Sequence, residues 1–215
     1  MNRNYNKGFT LVELIVVMAV FLLIVGTAMG IFISIVKQQK RILAEQELLN
    51  QASYVVEYMS KAMRMARKDD MGECLIEGVV SYPGYTYLLT RADLDGFYRG
   101  IKLLNQSDSD ESGFPACQEF YLDDAGVLKE KKTYWPYNPI GDDEAVALTS
   151  EKFNIEAIRF GINGQNGCYG EPIECPQTED GNNQPRVTML LDIRMDAQSV
   201  KKFQTTVSQR NLNTQ

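Results

Sequence analysis

Histidine is absent from the 215-residue sequence, and this absence removes several kinds of active site. Ser-His-Asp and Cys-His catalysis, HExxH metal sites and Cys/His zinc fingers all need an imidazole. The sequence also contains no Walker A loop and no GxGxxG motif. Basic residues are scarcer than acidic ones, 22 against 28, and the net charge of −6 disfavours nucleic-acid binding. We therefore expect a protein that is not an enzyme, needs no cofactor and has no nucleic-acid partner.

Charge is absent from the 23-residue run LIVVMAVFLLIVGTAMGIFISIV between Leu14 and Val36. As a helix this run is about 35 Å long, enough to cross the hydrocarbon core of a bilayer. The mean hydropathy of the whole chain, −0.26, conceals it by averaging. Gly26 and Gly30 form a G-x-x-x-G step, which lets two helices approach closely in lipid. A signal peptide cut near Gly30 is the alternative, but its apolar region is usually only about 7–15 residues long.

A short polar head, MNRNYNKG, precedes the apolar run and carries Arg3 and Lys7 but no acid. The positive-inside rule predicts that this end stays in the cytoplasm. Glu13 lies at the start of the predicted helix. An ionised carboxylate is costly in hydrocarbon unless it is paired, so Glu13 indicates a function. A position at headgroup level, where the charge costs little, is the other interpretation, and the sequence physics leaves both open.

The residues Lys7-Gly8-Phe9-Thr10-Leu11-Val12-Glu13-Leu14, followed by the long apolar run, resemble the prepilin signature of type IV pilins and type II secretion pseudopilins. The resemblance implies that a prepilin peptidase cuts between Gly8 and Phe9 and N-methylates Phe9. It also implies that the helix remains as membrane anchor and filament core, with the head outside the cytoplasm. Glu13 would then neutralise the Phe9 amine of a neighbouring subunit. One departure is that no proline interrupts the apolar run, as it does in many major pilins.

Neither proline nor glycine occurs between Val36 and Met71, so the helix is predicted to continue from about Phe9 to Lys68. The Met-rich stretch Met59, Met63 and Met65 is expected to fill the core. The predicted organisation is a cleaved leader (1–8), a transmembrane and filament-core helix (9–36), its amphipathic continuation (37–70) and a β-rich globular head (71–215). Apolar residues near helical spacing predict the face toward the head: Ile42, Leu49, Ala52, Val56, Met59, Met63 and Ala66.

Short runs with alternating polarity, separated by turn signals, follow the helix and indicate an antiparallel sheet. The predicted fold class is therefore α+β and pilin-like, one long N-terminal helix packed on an antiparallel β-sheet head with disulfide-stapled loops. The last run, FQTTVSQRN from Phe203 to Asn211, resembles the closing strand of GspJ- or PilW-type minor pilin-like proteins. The predicted strands are Cys74–Val80, Tyr85–Arg91, Phe97–Leu104, Glu119–Leu122, Phe153–Ile162, Val187–Asp196 and Val200–Ser208.

Four cysteines lie in the predicted head, and in an oxidising compartment we expect them to pair. Three connectivities exist; the short loop between Cys168 and Cys175 favours that bridge, with Cys74–Cys117 as the second. A metal site of four thiolates is the alternative, although no C-x-x-C spacing supports it.

Two further features leave their roles open. Acidic clusters at Asp93/Asp95, Asp108/Asp110/Glu111, Asp123/Asp124 and Asp142/Asp143/Glu144 suit either Ca²⁺ or, more commonly, solvated loops. The aromatic loop Tyr134–Pro139 serves either as cover for the sheet or as a recognition surface. The latter would make the chain a pilus-tip adhesin, the alternative to a minor subunit that assembles with other pilins or pseudopilins.

Overall fold

The computed structural model describes residues 8–134, 145–150, 152–164, 184–195 and 199–210. The chain divides into two compact units, residues 1–47 and residues 48–215. Helix α1 contributes residues to both units. The elements are α1 (Leu11–Arg64), β1 (Ala66–Arg67), β2 (Ile76–Glu77), β3 (Val80–Ser81), β4 (Tyr87–Ala92), β5 (Tyr98–Ser109), β6 (Pro115–Leu122), β7 (Leu128–Thr133), β8 (Val146–Ala147), β9 (Phe153–Asn163), β10 (Arg186–Met195) and β11 (Lys201–Ser208).

The fold is α+β and pilin-like, as predicted, with a long N-terminal helix and an antiparallel sheet. The sheet has the order β11-β10-β9-β5-β6-β7-β8, and β1 and β4 also pair with β5. The short strands β2 and β3 form a separate antiparallel pair. All these pairings are antiparallel, which agrees with the alternating polarity of the strand sequences. Consecutive strands mostly neighbour one another, so short turns suffice to connect them.

Strand β7, with the sequence LKEKKT, was missed because charge dominates it. Its inward positions are Leu128 and Glu130, and both side chains are buried. A buried glutamate in place of an apolar residue hides the alternation on which strand prediction depends. The two-residue strand β1 was also missed, since the same residues continue the helical pattern of α1.

The helix is shorter at its C-terminal end than predicted, because Ala66 and Arg67 pair with Leu104 and Asn105 of β5. The last carbonyls of a helix have no partner within the helix and need donors from elsewhere. Here the carbonyls of the last two helical residues and of the two residues that follow receive donors from three distant segments of the chain. The donors are Tyr87 Oη to Met63 O, Arg210 N to Arg64 O, Gln106 N to Met65 O and Gln209 Nε2 to Ala66 O.

Tyr87 is a buried member of this C-terminal cap, and burial raises the pKa of its hydroxyl. Its Oη donates to Met63 O at 2.5 Å. We expect Tyr87→Phe to lower the free energy of unfolding by about 1–2 kcal/mol, because the buried carbonyl then lacks this donor. Urea unfolding of the full chain in detergent measures the change, with the exposed Tyr54→Phe as control. Equal unfolding midpoints for the two variants would show that the bond contributes nothing.

The buried face of the second helical half differs in part from the predicted one. Ala52, Met59 and Met63 are buried as expected, whereas Ile42 and Leu49 are exposed. The helix also buries Leu48, Val55 and Ala62, each adjacent in sequence to a predicted position. Because successive side chains are rotated by about 100° around a helix, the buried face is turned relative to the predicted one. The buried apolar residues of α1 are Leu48, Ala52, Val55, Met59, Ala62 and Met63.

The segment between β1 and β4, here named the Asp69 loop (residues 69–85), is organised around one buried carboxylate. Asp69 is 3% exposed and accepts four backbone N–H bonds. At Gly72, which has φ +67°, an added Cβ would lie 2.2 Å from Ser81 Oγ, so only glycine fits. The four donors are Gly72 N at 3.0 Å, Glu73 N at 3.3 Å, Cys74 N at 2.8 Å and Leu75 N at 2.7 Å.

The Asp69 loop is also joined to the sheet by a disulfide between Cys74 and Cys117 of β6. This is the pairing that the sequence analysis favoured for these two residues. Around the bridge the side chains of Leu75, Leu88 and Leu104 form a buried apolar cluster. Cys168 and Cys175 lie outside the described residues, so the second predicted bridge stays a prediction.

Candidate functional site

The N-terminus of α1 is fixed by a cap that the sequence encodes. Thr10 precedes the helix, its Oγ1 accepts from Glu13 N at 3.3 Å, and its carbonyl accepts from Leu14 N at 3.2 Å. Thr followed three residues later by Glu is the sequence pattern of such a cap. The helix therefore begins at Leu11, and the peptide bond between Gly8 and Phe9 lies outside it.

The predicted cleavage residues are open to solvent. Phe9 is 81% exposed, and an added Cβ at Gly8 would meet no other heavy atom within 4 Å. A protease needs its substrate in an extended, accessible conformation, which helical hydrogen bonding would prevent. The cap at Thr10 thus leaves the Gly8–Phe9 bond available and starts the helix directly after it.

Glu13 lies in the first turn of α1 and is exposed. Its negative charge near the helix N-terminus interacts favourably with the helix dipole. Among the residues that the structure describes, its carboxylate enters no ion pair. A positive charge brought beside Glu13 would therefore meet a carboxylate that has no other counter-charge. The predicted pairing with the Phe9 amine of a neighbouring subunit requires this.

The apolar run of α1 is exposed along its length. None of its large side chains is buried, and Phe21, Ile24 and Phe32 are each more than half exposed. Of the described residues, α1 is the one helix long and apolar enough to cross a membrane. Thr27, a hydroxyl residue near the middle of the run, donates to Leu23 O at 3.2 Å and Ile24 O at 2.9 Å, so its hydroxyl is satisfied within the helix. A surface of this size needs lipid or neighbouring helices to cover it.

Gly26 and Gly30 lie one helical turn apart in the middle of this surface. An added Cβ at either position would meet nothing within 4 Å. Packing within the chain therefore does not require glycine at these positions. Their spacing matches the close helix–helix contacts of membrane proteins, and this role stays a prediction.

A polar network between α1 and the sheet was not predicted from the sequence. Tyr58 of α1 donates to both carboxylate oxygens of Glu130 at 2.8 and 3.0 Å, and Gln118 also donates to Glu130. Lys132 Nζ donates to Tyr58 Oη at 3.0 Å and pairs with Asp108 at 2.9 Å. Burial alone would lower the pKa of Lys132, but these hydrogen bonds and the nearby Glu130 carboxylate raise it instead. These contacts fix the position of Tyr58 of α1 relative to β7 of the sheet.

Several acids of the clusters within the described residues have local partners. Asp110 and Asp123 cap turns: Asp110 Oδ1 accepts from Ser112 N and Phe114 N, and Asp123 Oδ1 accepts from Ala125 N and Val127 N. Burial opposes ionisation of Asp123, but the Val127 N–H, the Lys129 ammonium and the Ala125 N–H outweigh it and lower its pKa. Within the described ranges no three acids converge as a metal site would require.

The aromatic loop is represented in the described residues by Tyr134 alone. Its hydroxyl donates to Asp108 Oδ1 at 3.1 Å, and the side chain is 38% exposed. Residues 135–139 of that loop, and the acidic cluster at 142–144, lie outside the described residues. The recognition role considered for the loop stays a prediction.

Residues 3–29 match the family model of the prokaryotic N-terminal methylation motif. The match covers most of the basic N-terminal leader, the Gly8–Phe9 bond, Glu13 and most of the apolar run. No curated protein and no solved structure matches the chain significantly. The motif and the exposed apolar helix together support a pilin-type, membrane-anchored subunit.

Proposed function

We propose that the chain is a minor pilin-like subunit of a type II secretion pseudopilus or a type IV pilus, possessing a head of the GspJ or PilW type. The observation that carries the proposal is the exposed Gly8–Phe9 bond directly before a capped helix with an uncovered apolar surface. Cleavage leaves Phe9 as the N-methylated terminus, and the helix then serves as membrane anchor and filament core. Its partners are other pilin or pseudopilin subunits.

Assembly follows from the chemistry of the new N-terminus. The Phe9 amine and the Glu13 carboxylate are each costly in hydrocarbon, and contact between neighbouring subunits pairs one with the other. The close approach at Gly26 and Gly30 brings helices together along the same surface. The organisation is a leader (1–8), an anchor helix (9–36), its continuation and a β-rich head, with the head on the outer side of the cytoplasmic membrane.

The orientation in the membrane rests on the processing site rather than on charge. Arg3 and Lys7 precede the apolar run and three basic residues directly follow it, so the positive-inside rule does not by itself support the predicted orientation. Since prepilin processing takes place on the cytoplasmic side, the Gly8–Phe9 bond belongs there. The second half of α1 and the head are then exported.

Processing predicts a defined mass for the mature chain. When the protein is expressed with a prepilin peptidase, we expect the intact mass of residues 9–215 plus one methyl group. Gly8→Leu should abolish the cleavage, because the side chain obstructs the site at the scissile bond. Asn4→Leu adds a similar side chain elsewhere in the leader (1–8) and serves as control. A wild-type chain that begins at Met1, or after Gly30, would refute the assignment.

A further inference from the structure

A compact group of basic residues directly follows the apolar run. Lys37, Lys40 and Arg41 lie within the sequence KQQKR, and all three are exposed on α1. At about 100° per residue they occupy an arc of about 100° on one side of the helix. We name this group the basic patch (Lys37, Lys40, Arg41).

The basic patch lies at the depth of the lipid headgroups when the apolar run crosses a bilayer. The headgroup layer adds about 5–7 Å on each side of the hydrocarbon core. Lys37 to Arg41 extends over about 6 Å of helix, which fills that layer. The first acid, Glu45, lies about 13 Å beyond Val36, past the headgroups. The helix therefore presents cations without acids at this depth.

The charges of the patch remain available to a ligand. Among the described residues Lys37 and Lys40 enter no ion pair. Arg41 Nε pairs with Glu45 Oε1 at 3.5 Å, yet its side chain stays 75% exposed. A guanidinium has five donors in a planar fork, so its other N–H groups are free to face a phosphate.

We propose that the basic patch binds the headgroups of anionic phospholipids in the outer leaflet of the cytoplasmic membrane. The inference rests on the proposed function, because it needs residues 14–36 to lie in a bilayer. Charge complementarity and depth both favour lipid over an acidic protein surface, since phosphates adjoin the patch wherever the helix is inserted. The bound lipid would hold the unassembled subunit at a fixed depth until it joins a filament.

Lipid selectivity of the full chain tests the proposal. The protein is reconstituted in phosphatidylcholine vesicles that contain trace spin-labelled phosphatidylglycerol or spin-labelled phosphatidylcholine. Electron paramagnetic resonance then gives the relative association constant of the two lipids. We expect about fivefold preference for phosphatidylglycerol, the strength of one basic residue near an anionic surface, and its loss in high salt. The triple variant Lys37→Gln/Lys40→Gln/Arg41→Gln should fall to a ratio of about 1.

A second triple variant controls for net charge. Lys61→Gln/Arg64→Gln/Lys68→Gln removes three exposed cations that lie well beyond the apolar run in the sequence, and we expect it to keep the preference. Equal selectivity of the patch variant and the wild type overturns the proposal. The same holds if the patch variant loses only filament assembly, which would assign the patch to a neighbouring subunit. A chain that alkaline carbonate extracts from vesicles overturns the proposed function as well, so the two failures are distinguishable.

Discussion

Replacement of Glu13 by glutamine should remove the protein from filaments while the head remains folded. Under the proposed function the substitution leaves the Phe9 amine of a neighbouring subunit buried without a counter-charge. Loss of one partner of a buried ion pair costs about 3–5 kcal/mol, which corresponds to more than a hundredfold in subunit association. The measurement is the fraction of the protein that co-sediments with sheared filaments, at equal amounts of membrane-bound protein.

The effect should be specific to the position of the charge. Glu45→Gln removes an acid of the same helix that pairs with Arg41 on the surface, and we expect nearly normal assembly. Glutamine at position 13 keeps the shape of the side chain and the Thr10 cap, because the cap uses the backbone N–H of residue 13. Normal incorporation of Glu13→Gln would show that the pairing does not drive assembly.

The largest loss of stability in the head is expected from Asp69→Ala. This change removes the acceptor of four backbone N–H groups, and two of them belong to the fully buried Cys74 and Leu75. Because each buried donor without a partner costs about 1–3 kcal/mol, we expect the free energy of unfolding to fall by about 3–5 kcal/mol. Urea unfolding of the full chain in detergent, with the disulfide intact, measures the loss.

Asp70→Ala is the matched control, since the neighbouring carboxylate is exposed. A second readout is the rate at which dithiothreitol reduces the Cys74–Cys117 bridge. Release of the Asp69 loop should speed this reaction in Asp69→Ala and leave it unchanged in Asp70→Ala. Identical unfolding midpoints and reduction rates in both variants would mean that the carboxylate does not hold the loop.

The candidate site at the N-terminus follows almost wholly from local sequence. Thr10 and Glu13 stand at capping distance along the chain, and the start of the helix after Phe9 follows from them. Exposure of the Gly8–Phe9 bond follows in turn. The Asp69 loop and the Glu130 network did not emerge from sequence patterns. In the sequence Asp69 cannot be distinguished from a surface aspartate. Glu130 lies at an inward position of β7, and the lysines of this strand obscure its alternating pattern.

The sequence by itself determined the long helix, the uncharged run, the Gly8–Phe9 junction and the antiparallel character of the sheet. These features depend on spacing of 2 or 3.6 residues and on neighbours along the chain. The tertiary structure decided where the helix ends, which of its faces is buried and where the carboxylates of Asp69 and Glu130 lie. Those outcomes depend on partners far apart in sequence, such as Arg210 on the Arg64 carbonyl and Tyr58 on Glu130. No local pattern carries that information, because the buried polar groups find their partners only when the sheet closes on the helix.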